Sequence, residues 1–200
     1  PAQSMADIRA NKETSADLYE VSTNAAREML QAQEALYDGE TAGMADALKT
    51  VMSLLDPNVI YEEGQLQLKR GIAKNPLTIT LYGSGAAGIA GKLAKGLTET
   101  IYERLTAVAQ SPENPAEAFF PNDPLAQDKY ERLNDALELL SRWQVKRGKV
   151  DGKTVFYIED GKAPPVNMSD PVKFKFDKAQ MKNLNTNMLE LFVKPMREGI

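Results

Sequence analysis

The sequence predicts a mainly α-helical fold with one small β-hairpin or sheet element. Three observations carry that prediction. Apolar residues recur at three- and four-residue intervals in five separate stretches, the signature of helices with one buried face. A single pair of short runs meets at Asp151-Gly152, a strong hairpin turn. Apolar and charged fractions of 42% and 26% are those of a globular chain with enough core to fold.

The first stripe runs from Thr14 to about Tyr37 through Leu18, Val21, Ala25, Met29, Ala32 and Leu36. Thr14 or Ser15 can cap this helix, and Asp38-Gly39 reads as its stop. Asp17, in the expected first turn, would complement the helix dipole. The second helix, from about Ala42 to Leu55, presents Met44, Leu48, Val51 and Leu55, and Asp56-Pro57-Asn58 ends it. Residues 59–68 are ambiguous and are joined loosely to the 69–85 stretch. Ile89, Leu93, Leu97, Ile101, Leu105 and Val108 form a third stripe. Residues 111–124, polar and proline-rich, read as a surface connection.

Tyr130, Leu133, Leu137 and Leu140 mark a fourth helix, from about Leu125 to Trp143. The hairpin then pairs 144–150 with 154–159. It carries the cations Lys146, Arg147, Lys149 and Lys153, with Arg142 just before it. They suit either contact with a nucleic-acid backbone or charge protection of an edge ribbon. Val172, Phe174 and Phe176 alternate with lysines as a further short strand. From about Lys178 a last helix carries Met181, Leu184, Met188 and Leu191. The organisation expected is a helical unit over 1–110, a linker over 111–124, and a helix, hairpin and terminal helix over 125–200.

Composition narrows the chemistry. The 200 residues include no cysteine and no histidine, which removes disulfides, thiolate and imidazole metal sites, and Ser-His or Cys-His nucleophiles. Any metal would be held by carboxylates. No apolar run reaches 18 residues, so no membrane span is expected. Net charge is −4, against nucleic-acid binding at face value, yet 64–98 holds Lys69, Arg70, Lys74, Lys92 and Lys95 with no carboxylate. A one-sign stretch of that kind focuses potential toward anions. The chain starts with Pro1 and runs to Ile200 within an expected helix, and is read as an internal piece of a longer protein.

The richest stretch is 69–85, which reduces to Arg70, three residues, Lys74, seven residues, Tyr82-Gly83. On one helix these three side chains fall near 0°, about 40° and about 120°, along roughly 18 Å of one face. That length suits a nucleoside triphosphate with its phosphates at the cationic end. Pro76 interrupts the face. Either the helix kinks there, or Asn75 is an N-cap and Pro76 the first helical residue. The run Gly83 to Gly88 is permissive enough for close approach of a nucleic acid or for a plain helix break, and it lacks the Gly-Lys-Ser/Thr of a P-loop.

Arg-x3-Lys-x7-Tyr-Gly resembles the fingers-helix motif of the single-subunit RNA polymerases of phages and mitochondria. Asp17-Leu18-Tyr19 looks like the Asp-Ile-Tyr element that precedes that motif in the family. The resemblance implies the fingers, with part of the palm, of a right-hand polymerase fold in a DNA-directed RNA polymerase. It gives Arg70 and Lys74 to the incoming ribonucleoside triphosphate. Lys74 would neutralise it and protonate the pyrophosphate leaving group, Tyr82 would sense the 2′-hydroxyl, and Gly83 completes the substrate-binding motif. Asp17 and Tyr19 would support the active site. Partners implied are the DNA template, ribonucleoside triphosphates and RNA product.

The cofactor implied is Mg²⁺, on palm aspartates expected outside this chain, so the chain alone is expected to be inactive. The setting implied is the cytoplasm of an infected host cell or the virion, since Pro76 and Tyr-Gly-Ser-Gly look closer to the virion-packaged phage branch. Related single-chain DNA polymerases carry an aromatic where Thr78 stands, which favours RNA synthesis. The reading from another class is a non-catalytic helical virion or interaction protein, for which amphipathic stripes alone suffice.

Overall fold

A computed structural model describes residues 5–69, 71, 83 and 85–198, the side chains of 5–19 excepted. The elements are α1 (Met5–Glu34), α2 (Gly39–Leu55), β1 (Val59–Glu62), β2 (Gln65–Leu68), α3 (Ala86–Gln110), α4 (Pro115–Phe119), α5 (Ala126–Arg142), β3 (Trp143–Val150), β4 (Lys153–Asp160) and α6 (Lys178–Met188). A wide turn over Leu189–Val193 leads from α6 into α7 (Lys194–Glu198). The fold is therefore mainly helical with two small antiparallel sheets, β1-β2 and β3-β4. No helix among the described residues is long and apolar enough to cross a membrane.

The expected stripes of α2, α3 and α5 face inward. Leu48, Val51, Ile101, Val108, Leu133, Leu137 and Leu140 are essentially without solvent contact, and they belong to one core that also takes Leu184 and Met188 from α6. Each such side chain contributes about 1.5–3 kcal/mol of burial free energy.

Helix α1 corrects its prediction in two ways. It starts before Thr14, which places Asp17 and Tyr19 well inside the helix and removes the first-turn dipole role from Asp17. Among its described side chains the buried positions are Ser22, Ala26, Leu30 and Gln33, one residue on from the expected stripe, while Val21 and Leu36 are 62% and 54% exposed. Two stripes a residue apart lie about 100° apart on the helix, and the one containing Gln33 won because a polar partner awaits it. Asp38 does not stop α1. It caps α2, accepting the Thr41 N–H at 2.8 Å, and this bond holds its carboxyl below the ordinary range.

The ambiguous 59–68 stretch is a second hairpin, with Val59 paired to Leu68 and Glu63-Gly64 at the turn, both at positive φ. The 111–124 connection is largely exposed but forms α4, capped by Asn114, and buries Phe119 and Phe120. The strand expected at 172–176 does not form. Val172 is 79% exposed, and Phe174 and Phe176 instead pack edge-on against Tyr102 of α3, whose hydroxyl accepts the Phe176 N–H at 2.7 Å.

Two polar networks tie the C-terminal elements down. In the first, α6 sends Asn183 and Asn187 into the junction between α5 and β3. The Asn187 amide donates to the carbonyls of Leu140 and Trp143 at 2.8 and 2.7 Å and accepts the Val145 N–H at 2.8 Å. Asn183 donates to Ser141 O at 2.6 Å and accepts from Gln144 Nε2 at 2.6 Å. Helix α5 must end there and a strand begin, which strands backbone groups that these amides satisfy. A side chain at Gly161 would collide with the Asn183 amide and with Arg142 O, so only glycine fits that crossing.

The second network joins α1 to the hairpin. Gln33 donates to Tyr37 Oη at 2.6 Å and to Glu190 O at 2.7 Å, and Arg147 donates to Gln33 Oε1 at 2.9 Å. Arg147 also faces Glu190 at 3.6 Å and the Phe156 ring at 5.3 Å, while Lys194 closes on Glu190. The wide turn sits just ahead of Pro195, which has no N–H and whose ring conflicts with a carbonyl one turn back.

Burial pushes the Tyr37 phenol up to about 12 from an ordinary value of 10.0. Its ionised form is thus disfavoured in the folded chain, so the stability it confers is full below about pH 10 and is lost as pH rises through about 12. Urea unfolding between pH 9 and 12 should show a steeper loss for the native sequence than for Tyr37→Phe. Parallel curves would refute this assignment.

Candidate functional site

The 69–85 stretch has a described glycine towards each end, Gly71 and Gly83. On the entry side the Lys69 N–H donates to Asn58 O at 2.8 Å, anchoring the chain to the base of the β1-β2 hairpin. Gly71 then passes against the Asn58 side chain, so closely that a Cβ would collide with it. On the exit side Gly83 turns at φ 77°, a left-handed conformation suited to glycine, and Gly85 is the N-cap of α3. Within Gly83 to Gly88 the described residues thus show a turn at Gly83 and the start of α3 after Gly85, with 86–88 inside that helix.

Arg70, Lys74 and Tyr82 lie outside the described residues, as does Pro76. Asp17 and Tyr19 lie on the backbone of α1, with side chains outside the description. Gly83 is exposed at the turn. Downstream of this frame, Lys92 and Lys95 are exposed on α3, and Lys95 meets Glu99 at 3.7 Å in open solvent, a pair worth little. Lys69 is exposed on the other side of the frame.

The hairpin cations divide into two groups, a split the sequence did not reveal. Arg147 shares the strand face of buried Val145 and is tied to Gln33 and Glu190, so it is a structural cation. Arg142 lies over the Trp143 ring at 4.9 Å. Lys149 and Lys153 are exposed at the turn end, and Lys146 is half-buried. The exposed lysines of the hairpin are therefore at its tip. Among the described residues no three carboxylates stand together in a way that could hold a metal ion.

The relatives of this chain place it in the class of single-subunit phage RNA polymerases. The family described as the helical domain of bacteriophage N4 RNA polymerase matches residues 16–200, and the chain belongs to that family. It is 37% identical over 213 residues to the virion DNA-directed RNA polymerase of Enterobacteria phage N4. That alignment takes in 100% of this chain and 6% of the relative's length.

Proposed function

We propose that this chain is part of the fingers of a virion-type, DNA-directed RNA polymerase and binds the incoming ribonucleoside triphosphate during nucleotidyl transfer. The observation that carries the reading is the Arg70-x3-Lys74-x7-Tyr82-Gly83 spacing within a chain that belongs to a phage RNA polymerase family. Arg70 grips the terminal phosphates, and Lys74 neutralises the triphosphate and protonates the departing pyrophosphate. Tyr82 stacks at the insertion site and senses the 2′-hydroxyl. Gly83, in its left-handed turn, lets the chain leave the site for α3. Asp17 and Tyr19 support the site from α1. Lys149 and Lys153 at the hairpin tip suit contact with the backbone of template or product.

Phosphoryl and nucleotidyl transfer is mostly positioning and charge neutralisation, which is what an Arg and a Lys four residues apart in sequence can supply. Mg²⁺, on this reading, would be held by palm aspartates elsewhere in the longer polypeptide and would supply further charge neutralisation. The chain alone is inactive on this reading, and the polymerase acts in the infected cell after delivery in the virion.

Tyr82→Phe in the longer polymerase tests this directly. Loss of a hydrogen bond to the 2′-hydroxyl corresponds to about 1.5–3 kcal/mol, so preference for ribo- over deoxynucleotides should fall about 10- to 100-fold in single-nucleotide incorporation. An unchanged preference would remove Tyr82 from the site and favour the non-catalytic helical reading.

A further inference from the structure

Helices α2 and α5 pack along each other, and the seam between them opens into two hollows of about 500 and 390 Å³ that share Gly43 and Leu139 as walls. The first is mainly apolar, formed by Met44, Leu139, Trp143 and Ile158, with Leu139 41% exposed. The second is acidic. Asp46 of α2, Glu63 of the β1-β2 turn and Asp135 of α5 line it, and all three are exposed. Asp46 accepts the Tyr61 hydroxyl at 2.5 Å, which leaves its charge in place.

The cations nearby do not cancel these carboxylates. Arg132 lines the acidic hollow, but it also faces Asp128 at 3.8 Å. Lys49 lies over the Tyr61 ring and is paired with Glu34 at 2.6 Å. At the apolar end Glu40 is part of the wall, and Arg142 lies on the Trp143 ring at 4.9 Å. The groove therefore runs from an apolar end to an end of net negative charge. Gly43 sits where the two hollows meet, inside α2. Glycine there costs about 1 kcal/mol against alanine. A Cβ at this position would meet no atom of the described residues within 4 Å. The described fold gives no steric reason for glycine at 43, whereas close approach of another backbone to α2 does.

We propose that this groove is the docking site of a basic amphipathic helix supplied by the same polypeptide outside residues 1–200. The apolar face of that helix fills the Trp143 end, its Lys or Arg side chains meet Asp46, Glu63 and Asp135, and Gly43 lets its backbone lie close. The chain corresponds to 6% of its relative's length, and covalent linkage holds a helix of the remainder at high effective concentration. The proposal rests on the reading of this chain as part of a longer polymerase, and on none of the roles given to Arg70, Lys74 and Tyr82.

The chain has no cysteine, so a single introduced thiol reports on the groove. Gly43→Cys and Leu139→Cys are made separately in the 200-residue chain and in the longer polymerase. Maleimide modification, followed at the labelled peptide by mass spectrometry, should be fast at both positions in the 200-residue chain and at least tenfold slower in the longer one. If bulk at 43 displaces the helix, position 139 decides. Adding Glu63→Lys and Asp135→Lys to Leu139→Cys should speed modification of the longer polymerase about threefold or more. A benzophenone carried on the thiol at 139 should cross-link to a Lys- or Arg-bearing segment of the same molecule beyond residues 1–200. Equal reactivity of position 139 in the two proteins would overturn the proposal, as would protection untouched by the charge reversal. So would a cross-link to a second copy, to nucleic acid or within residues 1–200. Nucleotide incorporation tests the polymerase reading, and its outcome leaves these reactivities unchanged, so the two fail separately.

Discussion

Asn187→Ala should lower the free energy of unfolding by about 4 kcal/mol, a large part of the total stability of a domain this size. Asn187 is fully buried, and its amide is the partner of two carbonyls and one N–H where α5 gives way to β3. Truncation leaves those three backbone groups facing an apolar hole. Each unsatisfied buried group costs about 1–3 kcal/mol, and partial relaxation keeps the sum below the maximum. The control lies two residues away on the same helix. Asn185 has a buried Oδ1 that accepts no hydrogen bond, so Asn185→Ala removes nothing that is satisfied and improves helix propensity. It should shift stability by less than about 1 kcal/mol. Urea denaturation with unchanged slopes checks both. Equal effects from the two variants would show that the amide network is not what holds the junction.

That network also marks where sequence reasoning stops. The stripes of α2, α3 and α5 were legible because apolar residues at helical spacing have one physical use, and Leu133, Leu137 and Leu140 are all buried. The β3-β4 turn was legible because Asp151 and Gly152 both accept positive φ. Glu63-Gly64 makes a turn of the same kind, but glutamate is not a usual first residue for it, and four-residue strands give little alternation to read. Asp38 was ambiguous because one residue type serves both to end one helix and to cap the next. The alternation of Phe174 and Phe176 misled because packing against Tyr102 produces it without a partner strand. Asn183, Asn187, Gln33 and Arg147 were missed because polar residues carry no burial signal. One clue was available, since Asn183 and Asn187 stand four apart and next to Leu184 and Met188, in phase with the apolar stripe. The proposed site is a different case: its motif is explicit in the sequence, while Arg70, Lys74 and Tyr82 lie outside the described residues, which give only Gly71 and the Gly83 turn on either side.

On the proposed function, Lys74→Ala in the longer polymerase should reduce the rate of nucleotide addition about 10²- to 10³-fold, the usual cost of removing one preorganised charge from a transition state. Template binding should be unchanged, because the lost interaction is with the triphosphate. Two further variants separate what Lys74 does. Arg in its place keeps the positive charge but cannot give up a proton at accessible pH. If neutralisation is the whole contribution, Lys74→Arg should recover most of the rate. If the ammonium also protonates pyrophosphate, Lys74→Arg should stay slow, and the high-pH limb of the native rate profile should disappear with it. Lys92→Ala supplies the contrast within the same carboxylate-free stretch. Its side chain is exposed on α3, so it acts only through screened long-range potential and should change the rate less than about twofold. Single-turnover incorporation measured on all four proteins distinguishes these cases. A Lys74→Ala enzyme as fast as the native one, or a Lys92→Ala enzyme equally slow, would mean that the stretch works as diffuse positive potential and that the Arg-x3-Lys spacing holds no substrate.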